Sequence, residues 1–243
     1  MNIIKLNAID STNDYLKNLL LKNSLDNYTI VTADFQNRGK GQMGSQWKSE
    51  ASKNLICSIY INNSNVKLSN QFAINMVVCL AIKKSLNKFN IPQLSVKWPN
   101  DIMSGSLKLC GILIENIVKN MSIQDIIIGI GVNINQMKFN DLPNATSVKQ
   151  ITGKYYNTDE ILSEIVNDIK FYFNFLKEES LVELQKLYES NLYRLNKVST
   201  FKLPDSNLIS GYINGVNEDG RLKIILENDV EESYEIKEIS LVN

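Results

Sequence analysis

The alternation of strand-like and helix-like segments is the feature that most constrains the fold of this chain. Up to about residue 190, short apolar runs alternate with longer segments in which apolar residues recur at helical spacing. Short apolar runs bounded by turn residues are typical of strands, and longer periodic segments are typical of helices. The sequence therefore predicts a layered domain built from α and β structure.

Strands are predicted for the short apolar runs, at residues 29–35, 54–61, 95–101, 109–118 and 124–135. After Arg194 the pattern changes to short strands separated by turn signals, as at residues 204–207. This change predicts a small antiparallel barrel, below the size at which domains usually stand alone. We expect the barrel to pack on the larger domain.

Helices are predicted for three periodic segments. Residues 11–23 have Ser11 or Thr12 as N-cap and an apolar stripe of leucines behind it. Residues 69–89 predict a buried helix. Residues 158–191 predict two helices, with the first cap at Thr158 or Asp159 and an interruption near Glu179 and Ser180.

Charge is balanced over the whole chain, which carries 26 Lys and Arg and 26 Asp and Glu in 243 residues. No global field would attract nucleic acid or an anionic membrane, so any charged ligand has to be bound by local groups. The N-terminal segment lacks a basic region followed by a long apolar stretch, and no segment approaches a membrane span. A cytoplasmic location is therefore the expectation.

Two residue types narrow the chemistry. Cys57, Cys79 and Cys110 lie singly in apolar runs, without the paired spacing of a zinc site or a disulfide framework. They indicate core thiols in a reducing compartment. The chain contains no histidine, so catalytic triads and metal sites that need imidazole are excluded.

A glycine-rich loop at residues 36–47 is the first candidate binding site. Its glycines are Gly39, Gly41 and Gly44, and its cations are Arg38 and Lys40. Glycines let backbone N–H groups approach a ligand and adopt conformations that other residues avoid. The loop suits a phosphate or a carboxylate, although a solvated hairpin connection with a buried Trp47 explains this stretch equally well.

Further polar residues interrupt the apolar strands. Lys97, Asn100 and Asp101 follow one strand, Lys108 directly precedes another that contains Gly111, and Asn133 lies on a third. Each has an ordinary interpretation, because Asn-Asp is a common turn pair, a strand-entry lysine is often exposed and an asparagine can cap a strand end. Only their joint order along the chain points to one site.

That order closely resembles the biotin protein ligases, also called biotin–[acetyl-CoA-carboxylase] ligases. The motifs are STN, Q-x-x-G-[RK]-G-x-x-G-x-x-W, KWPND, K-x-x-GIL-x-E and G-x-G-x-N-x-N. The resemblance implies an α+β catalytic domain over residues 1–193, with a mixed β-sheet and flanking helices of the class II aminoacyl-tRNA synthetase/biotin synthetase type. An SH3-like β-barrel would follow over residues 194–243.

The resemblance also implies a two-step reaction. Biotin and ATP with Mg²⁺ give biotinyl-5'-AMP and pyrophosphate, and a lysine of a biotin carboxyl carrier domain then attacks the adenylate and releases AMP. This chemistry suits a chain without histidine, because the biotin carboxylate is itself the nucleophile and the protein chiefly positions anions. The family also allows a homodimer.

The resemblance assigns roles to individual residues. Lys108 would bridge the biotin carboxylate and the α-phosphate as the first catalytic candidate, and Lys40 would contact the same anions without the bidentate geometry of the family's usual arginine. Biotin would contact Ser11, Thr12, Asn13, Gln36, Gly39, Lys40, Gly41, Trp47, Lys108 and Gly111. ATP or the adenylate would contact Lys40, Gln42, Trp47, Asn100, Asp101, Lys108 and Asn133. The resemblance assigns no metal ligand.

Within these sets the finer roles follow the family too. Ser11, Thr12 and Gln36 would hydrogen-bond the ureido ring, Trp47 would wall the valeryl tail, Asn100 and Asp101 would lie at the phosphates and Mg²⁺, and Asn133 would face adenine. The loop would close over the ligand and become ordered, excluding water from the mixed anhydride. Gln42 and Ser45 stand where many members carry basic residues, so we expect leakier release of the adenylate.

Other functions are weaker interpretations of the same sequence. A lipoate or octanoate ligase of the same superfamily is the enzymatic alternative, disfavoured by residues 11–13 and 97–101. A biotin-responsive repressor uses an N-terminal helix-turn-helix, for which we see no room before the catalytic domain, so DNA binding is not expected. A barrel that grips nucleic acid is disfavoured by the acidic residues between positions 226 and 240.

Overall fold

The computed structural model describes residues 2–62, 66–140, 142–178 and 180–242, and it has the α+β architecture expected from the sequence. The strands are β1 (Ile3–Ile9), β2 (Ile30–Gln36), β3 (Leu55–Ile61), β4 (Val66–Lys67), β5 (Leu94–Lys97), β6 (Asp101–Ser104), β7 (Leu107–Lys119), β8 (Ser122–Val132), β9 (Val198–Lys202), β10 (Leu208–Val216), β11 (Leu222–Leu226), β12 (Glu231–Tyr234) and β13 (Ser240–Leu241). The helices are α1 (Thr12–Lys22), α2 (Gln71–Asn87), α3 (Val148–Thr152), α4 (Thr158–Glu178) and α5 (Leu181–Glu189).

The larger sheet has the strand order β1-β2-β3-β8-β7-β6-β5, with β4 paired to β8. β1 and β2 run parallel, whereas the pairs from β2 to β5 are antiparallel. The sheet is therefore mixed, as expected.

Alternation along the central strands gives this sheet two different faces. In β8, Ile126, Ile128 and Ile130 belong to the large core, where α2 lies against the sheet and α4 packs on α2. Ile127 points the other way and packs with Leu16 of α1. Gly129 and Gly131 of β8 point to the same face as Ile127. That face of the sheet is therefore covered by α1 near Ile127 and exposes backbone at the glycines.

α1 is held in place by its cap and by one buried leucine. Ser11 is the N-cap and its Oγ accepts a hydrogen bond from the Asp14 N–H (3.4 Å), which decides between the two predicted caps. Leu16 is fully buried, and burial of a leucine side chain stabilises a fold by roughly 1.5–3 kcal/mol. The start of α1 is therefore fixed against the sheet.

Several details differ from the sequence predictions. Residues 95–101 form no single strand: β5 ends at Lys97, a turn with a cis Trp98–Pro99 bond follows, and Asp101 begins β6. β1 and β6 were not predicted, because β1 has no buried residue and β6 is only four residues long. Asn157, rather than a residue of α4, caps that helix by accepting from the Asp159 N–H (2.9 Å). Two helices follow there as predicted; Glu179 lies outside the described residues.

The C-terminal strands form a five-stranded antiparallel sheet of order β12-β11-β10-β9-β13. It packs on the larger unit, as expected: Trp98 Nε1 donates to Gly220 O (2.9 Å), and Gln185 Nε2 donates to Val216 O (2.8 Å). The division of the chain at residues 193 and 194 stays a prediction. Among the described residues, no helix combines the length and apolar character needed to cross a membrane.

The three cysteines are free and buried, as predicted for core thiols. Burial raises the pKa of the Cys57 thiol to about 12. The thiol is therefore a packing group at neutral pH rather than a nucleophile.

A buried carboxylate ties α2 to α4. The Asp168 side chain is 5% exposed and lies 3.1 Å from Lys84 Nζ and 2.8 Å from Lys88 Nζ. Ser85 Oγ donates to Asp168 Oδ2 at 2.7 Å. Burial alone would raise the pKa of Asp168, but the hydrogen bonds from Lys88, Ser85 and Lys84 outweigh it and leave the pKa below its ordinary value.

We expect Asp168→Asn to lower the free energy of unfolding by about 1–3 kcal/mol at neutral pH, because the substitution removes the charged acceptor of these bonds. A lowered folded-state pKa stabilises the fold above the unfolded value of 3.8 and loses that effect as pH falls through the folded pKa. The difference between wild type and variant should therefore shrink in urea titrations at successively lower pH below 3.8. Asp159→Asn, which removes an exposed pair with Lys5, is the matched control and should change little. An equal loss in both variants would contradict this account.

Candidate ligand-binding site

Two glycines leave a strip of bare backbone on the α1 face of the large sheet. Gly111 of β7 and Gly131 of β8 are direct register partners. The Trp47 indole lies against them, since a Cβ built on Gly131 would come within 2.4 Å of its Cε2 atom and one built on Gly111 within 3.0 Å of Cζ3. Trp47, the last residue of the glycine-rich loop, therefore packs directly on the sheet.

A cavity of about 190 Å³ lies beside this indole. The loop, the start of α1 and the central strands line it together. Twelve of the predicted site residues line it: Ser11, Thr12, Asn13, Gln36, Lys40, Gly41, Gln42, Trp47, Asn100, Asp101, Lys108 and Gly111. The structure thus brings together positions that are spread over 101 residues of sequence, from 11 to 111.

One end of the cavity is a network of neutral polar groups. The Thr12 N–H and hydroxyl both donate to Gln36 Oε1, at 2.8 and 3.0 Å. Ser58 Oγ lies 2.7 Å from Thr12 Oγ1 and also donates to Asn13 Oδ1. This end offers fixed donors and acceptors to a small polar ring.

Ser58 belongs to this network, Glu115 borders it, and both were missed in the sequence. Asn13 Nδ2 donates to Glu115 Oε2 (2.7 Å), and Lys17 forms an ion pair with the same carboxylate. The Asn13 amide also lies over Gly129, where a Cβ would come within 2.5 Å of Oδ1. Glu115 closes the quoted K-x-x-GIL-x-E motif, which was the available signal; Ser58 had none beyond its place in an apolar strand.

Two lysines also line the cavity, and each is already paired. Lys40 Nζ lies 2.6 Å from Asp14 Oδ2, and the hydrogen bond to Asp14 raises the pKa of Lys40. Lys108 Nζ lies 2.6 Å from Asp101 Oδ1. Lys108 is the second residue of β7 rather than a residue before the strand. The pairing of β7 with β6 therefore fixes its backbone. Both cations can exchange a carboxylate for an incoming anion.

The turn after β5 is fixed by its neighbours. The Pro99 carbonyl accepts from Asn75 Nδ2 (2.5 Å) and Tyr188 Oη (3.1 Å). Asn100 donates its side-chain amide to Ile112 O. Asn100 lines the cavity, but its amide N–H also serves to hold this turn against β7.

A second cavity of about 260 Å³ adjoins the first and shares Gln46, Trp47, Asp101 and Lys108 with it. Asn133, the last of the predicted residues apart from Gly39, lines this second cavity. It lies one residue past the end of β8 rather than within the strand. In the part of the chain that the structure describes, Asn133 Oδ1 and Trp47 Nε1 are buried without a hydrogen-bond partner. Each is therefore open to a ligand group.

The loop glycines act differently from one another. Of the three, only Gly44 has a positive φ (82°), so the sequence prediction of unusual conformations holds for that residue. Gly39 lines neither cavity; it is required because a Cβ there would come within 2.4 Å of Trp47 O. At the loop tip, Lys237 Nζ from the C-terminal sheet donates to Met43 O (2.8 Å). The loop therefore contacts both the large sheet and the C-terminal sheet.

Known proteins resemble this chain over nearly its whole length. The model of the biotin/lipoate A/B protein ligase family matches residues 6–133. The bifunctional ligase/repressor BirA of Bacillus subtilis is 25% identical over 221 residues, which is 88% of this chain and 67% of BirA. A biotin–[acetyl-CoA-carboxylase] ligase of Mycobacterium tuberculosis is 23% identical over 79% of this chain and 71% of its own. The biotin protein ligase of Aquifex aeolicus, solved with biotin and ATP, superposes with a TM-score of 0.82 at 28% identity, covering 99% of this chain and 98% of that one.

We expect Gly131→Ala to lift the Trp47 indole off the sheet, because the added methyl would overlap three atoms of the ring system. In a Trp98→Phe background, which leaves Trp47 as the single tryptophan, its fluorescence emission should move to longer wavelength. Stability should fall by about 1–3 kcal/mol. Gly111→Ala, where the contact is looser, should give a smaller shift; equal spectra in both variants and the parent would rule out the packing described here.

Proposed function

Since the chain belongs to the biotin/lipoate A/B protein ligase family, we propose that it attaches biotin to one lysine of a biotin carboxyl carrier domain. ATP drives the reaction through biotinyl-5'-AMP. The carrier is a domain of acetyl-CoA carboxylase or of a related carboxylase, the substrate after which relatives are named. The similarity to a ligase that binds biotin and ATP, over 99% of this chain, supports the proposal.

The observation that carries the proposal is the junction of the two cavities at Trp47, Asp101 and Lys108. The first cavity offers neutral hydrogen-bonding groups together with the cations Lys40 and Lys108, which suits a small acid with a polar ring. The second offers the unpaired Asn133 oxygen, which can accept from the amino group of adenine. Acid and nucleotide would therefore meet where Lys108 stands.

Biotin fits the first cavity in one direction. Its ureido ring lies among Ser11, Thr12 and Gln36; Thr12 and Gln36 are already oriented by their mutual hydrogen bonds, and Ser11 by its bond from the Asp14 N–H. Its apolar tail runs along the Trp47 indole on the glycine strip. The carboxylate then meets Lys108, and Lys40 is the second cation of the lining.

The first chemical step forms a bond between a biotin carboxylate oxygen and the α-phosphorus of ATP. The bond from that phosphorus to the bridging oxygen breaks, and pyrophosphate leaves with the electron pair. Lys108 draws the two anions together and offsets their repulsion, which is strongest when they are partly bonded. No proton has to be taken from the nucleophile, so a chain without histidine suffices.

Mg²⁺ is the expected metal and fits the residues present. The described residues contain no group of three or more Asp, Glu, Cys or His that could hold a metal ion by themselves. Mg²⁺ is usually held by one or two carboxylates together with substrate phosphates, and Asp101 is the carboxylate among the described residues of the two cavities. When bound, the ion would neutralise phosphate charge.

In the second step the carrier lysine attacks the carbonyl carbon of the adenylate and AMP leaves. Closure of the loop would keep water away from this reactive anhydride until the carrier arrives. The loop's ordering on binding, a cytoplasmic location, the absence of DNA binding and a homodimer stay predictions from the sequence.

The reaction can be tested by intact mass spectrometry of a biotin carrier domain incubated with this protein, ATP, Mg²⁺ and either biotin or lipoate. We expect a biotinyl mass gain that requires ATP. Lys108→Ala should slow it by about 10²–10³-fold, the usual effect of removing one group that stabilises charge in the transition state. Lys177→Ala, in the exposed last turn of α4 and lining neither cavity, should leave it unchanged. A lipoyl gain would assign the related lipoate ligase activity instead, and no gain with either acid would refute the proposal.

Gln42 allows a second test, because it lines the mouth of the first cavity where many relatives carry arginine. A guanidinium there can form charge-assisted hydrogen bonds to the adenylate phosphate. We expect Gln42→Arg to reduce biotinylation of a bystander protein about tenfold while carrier labelling persists. Gln42→Met, which adds no charge, serves as the control. Undiminished bystander labelling by the arginine variant would show that position 42 does not control adenylate release.

A further inference from the structure

Lys97 is a half-buried cation that the reaction described so far does not use. It ends β5 and lines the second cavity together with Lys48 and Lys108. Within residues 2–62, 66–140, 142–178 and 180–242, no carboxylate lies within ion-pairing distance of its ammonium group. A partly desolvated charge without a close partner is costly, which makes it suited to receiving an anion.

The strand register places Lys97 on the ligand side of the sheet. Lys97 pairs with Asp101 of β6, Asp101 pairs with Gly111 of β7, and Gly111 pairs with Gly131 of β8. Residues directly opposite one another in neighbouring strands point to the same face. The Lys97 side chain therefore rises from the same row as the glycine strip beneath Trp47.

The row of paired residues also gives the distance between Lys97 and Gly111. Adjacent strands lie about 4.8 Å apart, so the Cα of Lys97 lies roughly 10 Å along the row from that of Gly111. Lys108 stands close to Gly111, because a Cβ there would come within 3.4 Å of Lys108 Cε. A phosphate chain that begins at Lys108 can therefore span the gap to Lys97, whose four-carbon stem reaches over part of it.

The charges of the second cavity suit a polyanion. Its lining contains three lysines, at positions 48, 97 and 108, and one described carboxylate, Asp101. Burial lowers the pKa of Lys97, Asp101 opposes that effect and Lys108 adds to it. A bound anion would reverse the balance by favouring the charged form of the lysine. Lys48 is exposed, so its charge is better screened by water and contributes less.

We propose that Lys97 binds the β- and γ-phosphates of ATP and stabilises the pyrophosphate that leaves in the first step. The proposal rests on the function proposed above and adds a residue to it. When the bond from the α-phosphorus breaks, the bridging oxygen keeps the electron pair and negative charge accumulates on the leaving group. Lys97 lies where that charge develops, whereas Lys108 serves the bond that forms.

The two half-reactions separate this role from a structural one. The first is measured as biotin-dependent exchange of labelled pyrophosphate into ATP, and the second as transfer from supplied biotinyl-5'-AMP to the carrier lysine. We expect Lys97→Met, which keeps the aliphatic stem, to slow exchange about 10- to 100-fold and to raise the KM for pyrophosphate. Transfer from supplied adenylate should stay within about twofold of wild type, since no pyrophosphate takes part. Lys97→Arg should restore part of the exchange rate.

Lys83→Met is the matched control, because Lys83 of α2 is also half-buried with a pKa lowered by burial but lines neither cavity. It should leave both half-reactions unchanged. Unchanged exchange in Lys97→Met would overturn the proposal, and so would an equal loss in both half-reactions, which indicates a structural role. A wild-type protein without biotin-dependent exchange would instead refute the proposed ligase function itself.

Discussion

Gly111 and Gly131 face each other across β7 and β8, and everything in the site is arranged around the bare backbone that they expose. Glycine weakens a strand interior, yet here the residues on either side of each glycine point to the other face and are buried in the large core. The strands are thus held from behind while their front stays empty. Trp47 fills part of that space and lines both cavities.

Charge in the site is supplied almost wholly by lysines, with few acids to neutralise them. Lys40 is paired with Asp14 and Lys108 with Asp101, which itself lines both cavities. An incoming anion can therefore replace an existing partner instead of meeting an ammonium in bulk water. Such pre-arranged charges need little reorganisation during the reaction, which is why they stabilise a transition state effectively.

The sequence allowed the architecture and most of the site to be predicted, and the failures have local causes. Long apolar runs such as residues 126–132 and 71–82 identify buried elements by themselves, whereas β6 is four residues long and looks like part of a turn. Motif residues were found because their spacing resembles a known family. Ser58 and the pairing of Glu115 with Asn13 could not be found in that way, because their role depends on the register of β3, β7 and β8. The close approach that requires Gly39 likewise exists only once Trp47 is in place.

The bond from Lys237 to the Met43 carbonyl joins positions that are 194 residues apart in the chain. Met43 sits at the tip of the loop that borders the first cavity, with a positive φ of 51° and a largely exposed side chain. Opening of that tip must break a contact made by the C-terminal sheet. A truncated protein that ends after α5 would keep every residue of the cavity and still lose one restraint on its lid. The C-terminal strands, which also contribute Phe201, Ile213 and Val216 to the large core, are therefore part of the loop's mechanical support, and shortening the chain there would free the loop tip.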